Sequence, residues 1–169
     1  MKKTILAAGL MTLAGHTMAA TNVAGIWHLQ DSANTQATLD AAVEDVVKEI
    51  NFFIRALARP VLQKETQICN TWVLATNETH FLWQCDENIP GELLLTANKS
   101  ETMSDDGRLI SGTLAQTEQQ IITILESDRG KRTNVWAKVN DNVMHYTTTL
   151  ESDKIPKPLT WTLTYTRTP

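Results

Sequence analysis

Leu159-Thr160-Trp161-Thr162-Leu163-Thr164-Tyr165-Thr166-Arg167 decides the fold. Leu159, Trp161, Leu163, Tyr165 and Arg167 fall on one face at period two, and four threonines fall on the other. Strict alternation of this kind is a strand with one packed and one wetted face. The spacing predicts a strand over Leu159–Thr166, and its neighbours repeat the pattern.

Upstream, strands are expected at Thr66–Ala75, Thr79–Asp86, Glu92–Ala97, Arg108–Gln116, Gln119–Ser127, Lys131–Val139 and Val143–Glu151. Turn residues separate them, among them Pro90-Gly91, Ser104-Asp105-Asp106-Gly107, Asp128-Arg129-Gly130 and Pro156-Lys157-Pro158. A further short strand, Ala24–Gln30, opens the series. Short strands at hairpin spacing make a mainly β, antiparallel sandwich or barrel.

Two hairpin registers follow from the turns. A two-residue Asp141-Asn142 loop pairs Val139 with Met144, Ala137 with Tyr146 and Val135 with Thr148, leaving Trp136 and His145 facing outward. A three-residue loop would set Lys138 beside Met144 on the packed face, so the first register is preferred. With Thr76-Asn77-Glu78 as the other loop, Ala75 opposes Thr79, Val73 opposes Phe81, and Cys69 lies directly opposite Cys85. These are the only two cysteines, and a close cross-strand pair meets disulfide distances. A structural staple is expected, since CxxC spacing for redox work is lacking.

Between the first strand and the rest, Leu39, Val43, Val46, Ile50, Phe53 and Leu57 recur at steps of three and four. That is an apolar face at helical period, predicting one long helix from Leu39 to Ala58 that docks through those side chains. Asp40, Glu44 and Asp45 near its start and Arg55 and Arg59 near its end complement the helix dipole. Pro60 marks the expected stop.

Residues 1–20 read as a secretory signal: Lys2 and Lys3, an apolar run from Ile5 to Ala14, then Thr17-Met18-Ala19-Ala20, with cleavage after Ala19 or Ala20. The run is shorter than the roughly 20 residues a membrane span needs. The remainder, 21–169, is expected to form one domain without a transmembrane span, placed in the periplasm or secreted. The 169-residue chain carries −4; removing Lys2 and Lys3 leaves 13 basic against 19 acidic residues, a charge of −6. Such a domain repels phosphate backbones, so no nucleic-acid partner is expected. An outer-membrane barrel is disfavoured because the last strand turns threonine, rather than lipid-facing apolar residues, outward.

The sequence carries no GxSxG, Gly-rich phosphate loop, HExxH or EF-hand pattern. His28, His80 and His145 stand on separate strands without ligand spacing, and Glu44 and Glu65 have no spacing that makes them a carboxylate pair. No catalytic residue, metal site or cofactor is expected, which weighs against an enzyme. Asn77-Glu78-Thr79 and Asn98-Lys99-Ser100 match the glycosylation pattern but read as polar turns.

Gly25-Ile26-Trp27 on the first strand and Arg167 near the end of the last resemble the calycin pattern of lipocalins and fatty-acid-binding proteins, in which a G-x-W packs under a basic side chain from the final strand. First strand, helix, then a run of antiparallel strands resembles the fatty-acid-binding arrangement. Gly130-Lys131-Arg132-Thr133-Asn134-Val135-Trp136 and Pro156-Lys157-Pro158-Leu159-Thr160-Trp161 are similar to small exported bacterial lipocalin-like proteins. The resemblance implies an antiparallel β-barrel with a helix after the first strand. It implies a small hydrophobic ligand inside, with Tyr146, Trp161, Leu163, Tyr165 and Arg167 as ligand-binding candidates. Fatty-acid-binding proteins grip the carboxylate with R-x-Y on the last strand; here Leu163 precedes Tyr165 at that spacing. The expected ligand is therefore neutral or weakly polar, because a buried carboxylate without a charged partner is costly. The alternative is a protein-binding or inhibitor module acting through exposed loops or Trp136.

Overall fold

The computed structural model describes residues 23–167 except 31, 97–98 and 104–106. The expected signal segment and the Ser104-Asp105-Asp106 turn lie outside the described residues. The chain runs β1 (Gly25–Leu29), α1 (Ser32–Val47), α2 (Phe52–Glu65), β2 (Thr71–Thr76), β3 (His80–Cys85), β4 (Gly91–Leu94), β5 (Ser100–Met103), β6 (Leu109–Gln116), β7 (Gln120–Ser127), β8 (Gly130–Asn140), β9 (Val143–Glu151) and β10 (Leu159–Arg167). The strands form one antiparallel sheet in the order β4-β3-β2-β1-β10-β9-β8-β7-β6-β5, nearly closed into a barrel. Closure comes from β4 meeting β6: a Cβ at Gly112 would fall 2.3 Å from Leu93 Cδ2, so the missing side chain lets the two strands approach. β5 carries no expected strand; Glu101, Thr102 and Met103 are exposed and supply no alternating pattern.

β10 pairs as its alternation requires. Leu159, Trp161, Leu163 and Tyr165 are buried inward, while Thr160 and Thr162 on the outer face hydrogen-bond to Thr149 and Thr147 of β9. Arg167 shuts the end opposite the helices. Its guanidinium lies 4.6 Å from the Trp27 ring centroid and donates to Ala24 O at 2.6 Å. Gly25 sits at φ +146°, and a Cβ there would lie 3.1 Å from the guanidinium, so the G-x-W glycine makes room for the cation.

Helical structure follows the first strand as expected, but as two helices. Asn51 caps α2, its side chain accepting from Phe53 N–H at 3.0 Å. Arg55 Nε donates to Ile50 O at 2.8 Å, and its guanidinium also reaches Lys48 O, so one side chain satisfies carbonyls left by the end of α1. The apolar stripe splits at this break. Leu39, Val43, Val46, Val47 and Ile50 are buried against the barrel, whereas Phe53 and Leu57 point to solvent. Docking through Phe53 and Leu57 is thus corrected: a new cap restarts the helix in a different direction, so a stripe continuous in sequence is not continuous in space. Pro60 lies inside α2 instead of ending it. Both Pro60 and Ala56, whose carbonyl loses its partner, are exposed, so water can replace the bond.

Two registers differ from expectation. A bulge at Val139 pairs Lys138 with Met144, Trp136 with Tyr146 and Asn134 with Thr148, though the Asp141-Asn142 loop has two residues as predicted. The extra residue reverses the face of everything upstream on β8. Trp136 is therefore fully buried inside the barrel, not outward, while His145 is exposed as expected. Lys138 tolerates the inward row because its stem lies along the wall and its ammonium pairs with Asp141 at the strand end. In the β2–β3 hairpin, Asn77 Oδ1 accepts from Thr79 and His80 N–H, which centres the reversal later and pairs Trp72, not Cys69, with Cys85. Cys69 precedes β2 and still reaches Cys85, with Cα atoms 5.4 Å apart in a disulfide.

Candidate functional site

Inward rows cross the barrel wall in register, as read from the pairings of β6 to β10. Nearest the helices lie Gly112, Leu125, Arg132, Leu150 and Leu159; next Leu114, Thr123, Asn134, Thr148 and Trp161; then Gln116, Ile121, Trp136, Tyr146 and Leu163. Leu114, Leu125, Arg132 and Leu150 face inward yet remain half-exposed, which marks the mouth on the β6–β9 side. α1 covers the β10 side.

Below this mouth the interior becomes aromatic. Trp136 contacts Trp72 edge-on at 5.5 Å, Phe81 at 5.5 Å, Tyr146 at 5.5 Å and Trp83 at 6.1 Å, and Tyr146 meets Tyr165 at 6.4 Å. Trp83 lies flat over Gly91, where a Cβ would stand 2.4 Å from the ring. These rings pack against one another as a solid floor.

A polar belt separates floor from mouth. Asn134 Nδ2 donates to Thr123 Oγ1 at 3.1 Å, and Asn134 Oδ1 accepts from Tyr146 Oη at 2.9 Å and Thr148 Oγ1 at 3.3 Å. All four side chains are buried. Burial pushes the Tyr146 phenol above its ordinary pKa, so it stays a neutral donor across the physiological range. Tyr165 is also raised by burial and donates to Cys69 O at 2.8 Å. The indole N–H groups of Trp72, Trp136 and Trp161 are buried without an acceptor among the described residues, and that of Trp161 lies nearest the mouth.

The candidate residues separate accordingly. Trp161 lies on the row between mouth and floor, and Tyr146 and Leu163 share the row of Trp136 at the floor; Tyr165 lies deeper, and Arg167 is engaged at the closed end with Trp27. Among the described residues three cations stand on the inward rows, and each is already engaged. Arg132 pairs with Glu65 of α2 at 2.9 Å, Lys138 with Asp141, and Arg167 with Trp27 and Ala24 O. The β8–β9 bulge hides Asn134 and Trp136 from the sequence reading; Thr148 is placed inward by either register, and Thr123 lies on β7, whose inward face the sequence reading leaves unassigned. The β7–β8 turn held the missing signal: a two-residue Asp128-Arg129 loop sets Ile121 opposite Trp136 and Thr123 opposite Asn134.

Outside the barrel, a cleft of about 580 Å³ lies on the rim between the β7–β8 and β9–β10 turns. Its two lysines are paired, Lys131 with Glu151 at 2.6 Å and Lys157 with Glu49 at 2.9 Å. Cys69, Cys85 and Asp86 also cluster, but the two sulfurs are consumed in the disulfide. No helix among the described residues is long and apolar enough to cross a membrane.

No protein-family model matches the chain, and no curated protein is similar to it in sequence. Solved structures share its fold. A fatty acid transporter, REP1-NXSQ, matches with a TM-score of 0.52 at 15% identity over 88% of this chain and 97% of that one. A secretary abundant heat soluble protein from Ramazzottius varieornatus matches with 0.55 at 15% identity over 88% and 97%. Fatty-acid-binding protein 1 of Echinococcus granulosus matches with 0.53 at 11% identity over 88% and 98%. The chain has the antiparallel barrel of the fatty-acid-binding, calycin-like fold.

Proposed function

We propose that this protein is an exported, non-catalytic binding protein for a small, neutral, hydrophobic ligand held between the helices and the aromatic floor. What carries the reading is the state of the inward cations: Arg132, Lys138 and Arg167 are all engaged within the chain, so a buried carboxylate would have to break an existing pair. Trp161 and Leu163 supply the apolar wall, and Leu114, Leu125 and Leu150 line the entry. The Trp161 indole N–H favours a ligand carrying a carbonyl, ester or ether oxygen. Tyr146 shapes the belt beneath it; Tyr165 and Arg167 support from below. Likeness of fold to fatty-acid-binding structures supports an apolar cargo. Export follows from the residue 1–20 pattern and suits the single disulfide, placing the protein in the periplasm or outside the cell.

The test is native mass spectrometry of protein recovered from its own host. It is followed by titration of tryptophan fluorescence with matched neutral and acidic lipids, such as a monoacylglycerol and its free fatty acid. Saturable quenching by the neutral compound, weakened in Leu150→Glu, is expected. Saturation by the acid alone would overturn the neutral preference, and no saturable response from any compound would remove ligand binding altogether.

A further inference from the structure

α2 is amphipathic the wrong way round for a helix that caps a barrel. Leu62 is its one buried residue, while Phe52 is 75% exposed, Phe53 86%, Ile54 52%, Leu57 72% and Val61 61%. Its charges do not face the same way. Arg55 turns back to Ile50 O and Lys48 O, Arg59 pairs with Glu44 at 2.9 Å, and Glu65 pairs with Arg132. The outward face therefore holds Phe53, Ala56, Leu57, Pro60 and Val61, with Lys64 at its end and no acidic group.

From this geometry we infer that the α2 face is a docking surface for a second copy of the chain, packed helix to helix about a two-fold axis. Phe53, Leu57 and Val61 form an i, i+4, i+8 ridge, and the small Ala56 beside Pro60 leaves a groove along it. Ridges of this spacing interdigitate with an identical set at a crossing of about −50°, and a two-fold axis needs only one self-complementary patch. Phe53, Leu57 and Val61 with Ala56 and Pro60 present on the order of 500 Å² of apolar surface, given about 150–250 Å² for an aromatic alone. That is within the ~300–600 Å² a typical monomer leaves uncovered. Two such faces bury at most about 1,000 Å², the size of a weak, reversible interface. Charge selects the partner as well. Copies of an acidic chain repel through most of their surfaces, and this face lets them meet without opposing carboxylates.

Sedimentation of the purified full chain across a dilution series from micromolar to millimolar tests the inference. A weight-average mass rising from monomer to dimer is expected, and Leu57→Asp should weaken association at least about tenfold, as hot-spot truncations do. At micromolar concentration, where both proteins are monomeric, its thermal midpoint should stay unchanged, since Leu57 is solvent-exposed in the monomer. Leu57→Cys should oxidise to a linked dimer and Glu78→Cys, on the β2–β3 turn at the opposite end, should not. Mass that stays monomeric throughout, or a dimer indifferent to Leu57→Asp, would overturn the inference. Co-sedimentation of monomeric protein with phosphatidylcholine vesicles, abolished by Leu57→Asp, would overturn it in favour of a bilayer. None of these measurements depends on a ligand.

Discussion

Replacing Asn134 by leucine should do more than remove one side chain, because three buried groups depend on it. Tyr146 Oη and Thr148 Oγ1 both donate to Asn134 Oδ1, and Thr123 Oγ1 accepts from its amide. Leucine keeps the branched shape but leaves two hydroxyl donors stranded inside the barrel. A stranded buried polar group costs about 1–3 kcal/mol, so Asn134→Leu should destabilise by about 2–5 kcal/mol. Tyr146→Phe in the unaltered protein should cost only about 1 kcal/mol, the net worth of one hydrogen bond, because Thr148 still occupies Oδ1. In the Asn134→Leu background the same change removes a stranded hydroxyl and should be neutral or stabilising. The cycle thus predicts a coupling of about 1–2 kcal/mol. Urea unfolding of the four proteins, followed by far-UV circular dichroism with a common m-value, measures it. Additivity within about 0.3–0.5 kcal/mol would refute the belt as a coupled network.

Other consequences can be checked on the same purified protein. Leu39→Ala, fully buried on α1, should cost about 2–5 kcal/mol, whereas Phe53→Ala should fall within about 0.5 kcal/mol in urea; equal costs would mean that α2 docks by the face drawn outward here. Asp45, held down to about 2 chiefly by the Lys157 ammonium and next by Lys48, contributes stability that is present above its usual 3.8. That contribution is lost as the pH falls through about 2, so the urea midpoint should drop over that window, and less steeply in Lys157→Met. Thiol counting in non-reducing denaturant should find no free cysteine. Reduction should lower stability by about 3 kcal/mol in the chain-entropy model, read from the shift in urea midpoint.

Much of the barrel can be read from local chemistry. β10 alternates strictly because its two faces meet different environments, so period two in the sequence is period two in the wall. The closed end is legible only through the resemblance of G-x-W and the distant Arg167 to the calycin pattern, and the structure supplies the contact geometry: a glycine without a side chain, an aromatic face and a cation fit one another. The disulfide is also legible, since the two cysteines lie near the hairpin that joins them. Register is another matter. One bulged residue at Val139 sends Trp136, Asn134 and Arg132 into the barrel, and nothing in the β8–β9 hairpin itself distinguishes that from an unbroken ladder. Tertiary packing decides it, because Trp136 gains the rings of Trp72, Phe81 and Tyr146 only when turned inward. The helix break follows the same logic. Periodicity from Leu39 to Leu57 states that a stripe exists, but the barrel has room to bury only the α1 half. Asn51 and Arg55 then close one helix and start the next, and the rest of the stripe is left facing water.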